Sequence, residues 1–193
     1  MPGVATTGNV STITNTGNPT VCGAGVATCT AGSWSVAGGA TNMNIQTIID
    51  NLKGSANYSY DYTSNQTVTG MNWGVPVVTS QDLPSSCNVS NIVYYNMHGG
   101  DIKLAGGSSG CGMLLVNGDM ELNGGFNWYG MILVTGSVTI AGGGDKNITG
   151  SVVAGGSTEA DLVGGNTSIV YCSKAVNDSA DRAPLRTLSW AEN

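Results

Sequence analysis

The chain has 193 residues, of which 30 are glycine and only 9% are charged; six cations against twelve acids leave a formal charge of -6. So acidic a chain is not built to hold nucleic acid, and its irregular glycine spacing with 5 prolines excludes collagen. The composition of a coiled coil or helical bundle is absent. The low-charge apolar runs Met113–Val116 and Met131–Val134 need a core, so a mainly β, loop-rich protein remains.

Residues 1–40, rich in Gly, Thr and Asn, read as short strands and turns, the first irregular coils of a single domain spanning 1–193. No run of about 18 apolar residues exists to span a membrane. Met1-Pro2-Gly3 is followed by no basic segment leading into an apolar one. The expectation is that a signal or anchor has been removed, so membrane contact runs only through that missing anchor or a partner. Cys22 and Cys29 bracket a Gly-rich loop and make one candidate disulfide; Cys87 and Cys111 flank the first strong β segment and make a second, leaving Cys172 over. The alternative is five reduced structural cysteines. With one histidine and no Cys-x-x-Cys pair, neither zinc nor any other cofactor is implied. Disulfides, low charge and abundant Asn, Thr and Ser favour an extracellular or cell-surface location, reached through the periplasm.

Over 41–54, Ile45, Ile48, Ile49 and Leu52 recur at i, i+3, i+4 and i+7, the stripe of an amphipathic helix. Asn42 or Asn44 caps its start and Gly54 its end. Residues 55–87 carry Tyr58, Tyr60 and Tyr62, then Trp73 and Pro76. They read as a protruding hairpin or long loop with the aromatics on one side, a candidate partner-binding patch.

Residues 88–173 hold a repeat. Asp101-Ile-Lys-Leu-Ala-Gly-Gly, Asp119-Met-Glu-Leu-Asn-Gly-Gly and Ser137-Val-Thr-Ile-Ala-Gly-Gly recur at a spacing of 18. Gly100, Gly118 and Gly136 keep that spacing, and Met113-Leu-Leu-Val maps onto Met131-Ile-Leu-Val. Looser copies at Ile92, Ser151 and Ile169 flank them. A short period of strands and glycine turns predicts a single-stranded parallel β-helix, a β-solenoid of about 18 residues per coil. General crossover preference makes it right-handed. Parity turns Leu114, Val116, Met120, Leu122, Ile132, Val134, Val138 and Ile140 inward, and sets Lys103 beside Glu121 of the next coil. The other strand of each coil is apolar at odd positions as well, at Val93, Tyr95, Met113, Leu115, Met131, Leu133, Val153 and Tyr171. A strand apolar on both faces is covered on both. The 41–54 helix is placed on that outer wall; the rival reading is a docking surface for another subunit. The tail, 174–193, forms a C-terminal cap with Trp190 as its lock.

The string from Gly112 to Gly125, then Trp128-Tyr-Gly-Met-Ile-Leu-Val-Thr-Gly-Ser-Val-Thr-Ile and Ile148-Thr-Gly-Ser-Val-Val-Ala-Gly, is similar to the C-terminal β-solenoid of PilX-like type IV pilus assembly proteins, the minor pilins. The ending Leu188-Ser-Trp-Ala-Glu resembles theirs, and the coils also resemble bactofilin repeats. The resemblance covers residues 90–193. The chain departs from the family in lacking the hydrophobic N-terminal pilin helix and the prepilin cleavage site; either they have been cut away, or this is a free subunit that pairs with a separate pilin. The resemblance implies a pilus-associated subunit, partnered by pilins, other pilus subunits or its own copies, with no catalytic residues to carry over.

The residues support that reading more than its rivals. The leading expectation is a non-catalytic structural subunit of an extracellular appendage, assembling through apolar solenoid surfaces. An adhesin-like module would use the Tyr58, Tyr60, Tyr62 and Trp73 patch on a surface glycan. A carbohydrate-active enzyme would need Asp101 and Asp119 as paired carboxylates beside a sugar cleft. His98 fits a coil edge better than a catalytic triad, and Asp145 in its Gly-rich turn fits a solvated turn better than a calcium site.

Overall fold

A computed structural model describes residues 3–6, 15–16, 20–23, 33, 35–37, 44–78, 84–155, 160–163 and 167–181. Cys29, Trp190 and the Leu188–Glu192 ending lie outside the described residues. In chain order the elements are β1 (Val4–Thr6), β2 (Asn15–Thr16), β3 (Thr20–Cys22), β4 (Val36–Ala37), α1 (Ile45–Leu52), β5 (Tyr58–Asp61), β6 (Gln66–Thr69), β7 (Asn72–Trp73), β8 (Pro76–Val78) and β9 (Pro84–Cys87). They continue with β10 (Asn91–Ala105), β11 (Ser108–Asn123), β12 (Phe126–Val134), β13 (Val138–Ala141), β14 (Lys146–Ala154), β15 (Ala160–Val163), β16 (Thr167–Tyr171) and α2 (Ser173–Ala180).

Apart from the antiparallel β8–β9 hairpin, every described strand pairing is parallel. The chain is a β-solenoid, as the 18-residue repeat predicts. Its ladders form three walls. The first stacks β5, the start of β10, the middle of β11, then the ends of β12 and β14. The second runs through β6, the end of β10, the end of β11, β13 and β15. The third joins β7, the starts of β11, β12 and β14, and β16. Inside, Ile102, Met120 and Val138 stack in register, as do Leu104, Leu122 and Ile140, all at most 2% exposed.

The corner between the third and first walls is a glycine column. Gly112, Gly130 and Gly150 lie in register with φ of 104°, 135° and 143°. A Cβ on Gly150 would collide with the carbonyl of Gly130 in the next rung. Only glycine adopts this backbone and lets rungs approach so closely.

The outer wall of odd apolar residues is covered as expected. Ile45 and Ile49 of α1 pack with Met113, Leu115, Leu133 and Val153. Asn44 caps α1, its Oδ1 accepting from the Thr47 amide at 3.0 Å. The helix starts at Ile45 rather than 41, and Gly54 does not end it: the chain passes into a 3-10 turn, Lys53–Ser55. The face assignment is corrected in two rungs, first at Val93 and Tyr95 and then at Tyr171. Val93 and Tyr95 point into the core, while Ile92 and Tyr94 face α1. The cause is an insertion: Ile92 pairs with Met113 at a spacing of 21, and the register shifts between Asn96 and Asp101, where His98 takes a positive φ of 49°. A spacing of 21 also sets Ile169 inward over Ile148 and puts Tyr171 beside Gly150. A second helix, α2, has no strong apolar stripe to announce it; Ala175 packs against Cys111 and Tyr129 outside the third wall.

Two segments sit differently from the expectation. Residues 55–87 are no protruding loop: β5, β6 and β7 are the first parallel coil, and only β8 and β9 form a hairpin. The N-terminal strands join the opposite end. Val4 pairs with Val152, Val21 with Ile169, and Val36 stacks on Val4. The N-terminal segment therefore follows the last regular coil in space, although it comes first in sequence.

Gly150→Ala should destabilise the fold by about 3 kcal/mol or more, since strain and a backbone collision act together. Gly143→Ala, where a Cβ meets nothing within 4 Å, should stay within about 0.5 kcal/mol of the parent. Urea denaturation of the pair checks this.

Candidate functional site

The first coil sets the aromatic residues at the end of the spine. Tyr58 pairs with Val93 and Tyr60 with Tyr95, so Tyr58, Tyr60 and Tyr62 share the core side of the rung. Tyr60 stacks on Tyr95 at 4.6 Å between ring centroids, and Tyr62 lies within 4° of parallel to Tyr60. Each such aromatic pair contributes about 1 kcal/mol beyond its buried area. Trp73 is buried at 1% exposure, its edge on Tyr95 and its Nε1 donating to Tyr60 Oη at 3.3 Å. The four residues expected as one surface patch thus divide: Trp73 lies inside, Tyr60 and Tyr62 are half-buried, and Tyr58 is 41% exposed. Beneath them Tyr95 Oη is buried without a hydrogen-bond partner among the described residues, and burial holds its phenol far above its ordinary range.

Among the described residues nothing covers this end of the spine. Among the described residues β5 and β6 pair only with β10, and β7 only with β11, so each has one free edge. Tyr60, Tyr62, Val68 and Met71 are the partly buried members of the core cluster, and all four belong to this coil. The β8–β9 hairpin leans towards β11 and β12, away from the opening.

The acids of the second wall are engaged with neighbours. Asp101 Oδ2 accepts from Asn65 Nδ2 at 3.1 Å, and Asp119 Oδ1 accepts from the Ser137 amide at 2.6 Å. Lys103 Nζ meets Glu121 Oε1 at 2.7 Å, and this ammonium keeps the Glu121 carboxyl below its ordinary range. Asp101 and Asp119 border a shallow depression of about 170 Å³, without the walls of a sugar cleft. His98 Nε2 lies 2.6 Å from Asp61 Oδ1 at the exposed coil edge. In the Gly142–Asn147 turn the carbonyls of Gly142 and Gly144 accept from Lys146 Nζ at 2.8 and 3.2 Å. They are therefore committed to an ammonium rather than to a metal ion. Lys146 is fully buried in register with Phe126, and burial pulls its pKa down. Among the described residues no three His, Cys, Asp or Glu side chains converge as metal ligands.

A cleft of about 410 Å³ lies between α2 and the turn after β9, lined by Cys87, Ser90, Tyr129, Lys174, Asp178 and Ser179. Cys87 and Cys111 form a disulfide at its wall, Cys22 is also disulfide-bonded, and Cys172 is a free thiol. Tyr129 donates to Asp178 Oδ2 at 3.0 Å, and Lys174 pairs with the same carboxylate. Burial first, then the Asp178 carboxylate, push the Tyr129 phenol up to about 12. The cleft holds an ion pair and hydroxyls, with neither an imidazole nor an activated nucleophile. The sequence sets Tyr95 on the outer wall instead of in the core, and gives no sign of the buried Lys146 or of the Tyr129–Asp178 pair. Tyr95 is legible once the spacing of 21 sets it over Val116, and Lys146 once a spacing of 20 sets it on Phe126.

No protein-family model, curated protein or solved structure matches the chain.

Loss of the Cys87–Cys111 bridge, which closes a sequence separation of 24, should lower stability by about 3 kcal/mol. Comparing melts of a Cys87→Ser/Cys111→Ser double variant with the parent measures it. The unfolded Tyr129 phenol releases its proton near 10.0, while the folded one holds it to about 12. Its stabilising contribution is complete below pH 10 and is lost as the pH climbs towards 12. Tyr129→Phe should therefore flatten the alkaline loss of stability, and spectrophotometric tyrosinate titration should show one late phenol fewer.

Proposed function

We propose that this chain is a non-catalytic structural subunit of an extracellular pilus or related surface appendage, a minor pilin of the PilX-like kind. It joins its partners through the apolar end of its solenoid. The observation that carries the reading is the first coil, where Tyr58, Tyr60, Tyr62, Val68 and Met71 leave core-type surface accessible beside strand edges that pair with nothing among the described residues. A stacked unit buries such a face only against a neighbour, and an unprotected edge is a template for one. The side walls suit joining less well. One lies under α1, another under α2, and the second wall presents charges and amides. A structural role is also supported by carboxylates already engaged with amides and ammonium groups. The disulfide fits an oxidising compartment, which favours secretion to the cell surface. No cofactor enters this role.

The adhesin-like alternative draws on one feature, the parallel rings of Tyr60 and Tyr62 beside exposed Tyr58, which could stack on the apolar face of a sugar. Appendage preparations sheared from producing cells separate the two. The protein should co-purify with the sheared fraction, and its deletion should reduce the number of appendages. A Tyr60→Ala/Tyr62→Ala variant that still folds should leave that fraction. A protein that stays in the free pool, with appendage number unchanged by its deletion, would rule out the structural role. Loss of glycan attachment alone on Tyr58→Ala would favour the adhesin.

A further inference from the structure

The geometry points to a second copy of this chain as the occupant of the open first coil, docking head to tail with its N-terminal coil. The inference rests on the structural-subunit reading above and names its partner.

Polarity is the first argument. Every ladder of the spine is parallel, so its two ends present opposite edges of coils that run the same way. At one end β5 and β6 have free edges; at the other, β4 pairs only with β1 among the described residues. Stacking the β4 end of one copy on the β5 end of another continues the first wall in the parallel sense. Stacking like end on like end would make every contact antiparallel. The head-to-tail contact is heterologous, and it propagates instead of closing.

Charge is the second. Residues 1–49 contain no Asp, Glu, Lys, Arg or His, and residues 57–75 contain one acid, Asp61, already beside His98. Among the described residues the charged side chains therefore lie almost wholly between the ends, and copies that repel side to side meet little repulsion end to end. Neither stretch carries the lysine with which exposed edges are commonly protected, and residues 57–75 lack proline as well.

The third is a precedent within the molecule. Val4 pairs with Val152, and Val21 with Ile169, although 148 residues separate each pair (152 − 4 and 169 − 21). Neither the Cys87–Cys111 disulfide nor the free Cys172 ties this segment covalently to the coil it covers. An edge of this solenoid thus accepts a coil that does not continue from it.

Ser59→Lys with Thr67→Lys puts two ammonium groups on exposed, outward positions of the open edge and leaves the core untouched. On raising the concentration, purified full-length protein should pass through an open series of oligomers to filaments one solenoid wide. The double variant should keep the parent's circular dichroism and melting temperature but associate about tenfold more weakly or worse. Mixed in at a small fraction, it should shorten parent filaments, because its N-terminal end still docks and its own edge accepts no further copy. A parent that stays monomeric, or stops at a discrete dimer, overturns the inference, as does a variant that leaves filament length unchanged. If the monomeric parent still co-purifies with appendages, the occupant is another subunit, and the structural role stands without self-stacking. If it binds glycan instead, both readings fall.

Discussion

Close approach of successive rungs at glycine corners is the constraint on which the molecule depends. At Gly112, Gly130 and Gly150 the carbonyl of one rung occupies the space that a Cβ of the next would need. Once those corners are in register, the alternation of the strands leaves no choice of face. Ile102, Met120 and Val138 must stack inward, and Lys103 must meet Glu121 outside. Where the loops differ in length, the corners still align. The insertion around His98 is absorbed between Asn96 and Asp101, and the price is a swap of faces at Val93 and Tyr95.

The helix α1 makes the unusual chain order possible. Its start packs beside Gly155 near one end of the spine, and the turn that follows it delivers Asn57 to Ile92 near the other. Eight residues of helix rise about 12 Å, and the three rung spacings from Val153 to Ile92 come to about 14 Å. The helix thus matches the stack it covers and carries the chain back to begin the coils from the opposite end. One short amphipathic segment both buries the outer apolar wall and determines which coil ends the spine on each side.

Much of this was legible in the repeat. Three copies at one spacing supplied the coils, the inward columns and the Lys103–Glu121 pair, because a parallel stack makes the residues of successive copies neighbours. The helix over Ile45–Leu52 was legible from its own stripe. The first coil was not, since Tyr58-Ser-Tyr-Asp and Gln66-Thr-Val-Thr match the later copies in alternation but not in wording. Alternation alone does not separate a parallel rung from one arm of a hairpin. The position of the N-terminal coil was not legible either, because stacking order in a solenoid need not follow chain order. Lys146 escaped because a charge at a core position contradicts the pattern. Its burial makes sense only with the Gly142 and Gly144 carbonyls folded back over it.

The distribution of surfaces then bears on function. A solenoid has side walls, where recognition is a matter of outward side chains, and ends, where it is a matter of backbone and core. Here α1 and α2 close the first and third walls, and on the second the acids are held by a lysine, amides and the next rung. One end is continued by the protein's own N-terminal coil, with Val4 and Val21 at most 1% exposed over the last regular rung. Among the described residues the other has no such cover, and it exposes Tyr58 at 41%. On the role proposed above, a chain that caps one end with uncharged strands and leaves the other apolar carries its capacity for association along its axis. Under that proposed role, each unit is added in line, end over end, rather than side by side.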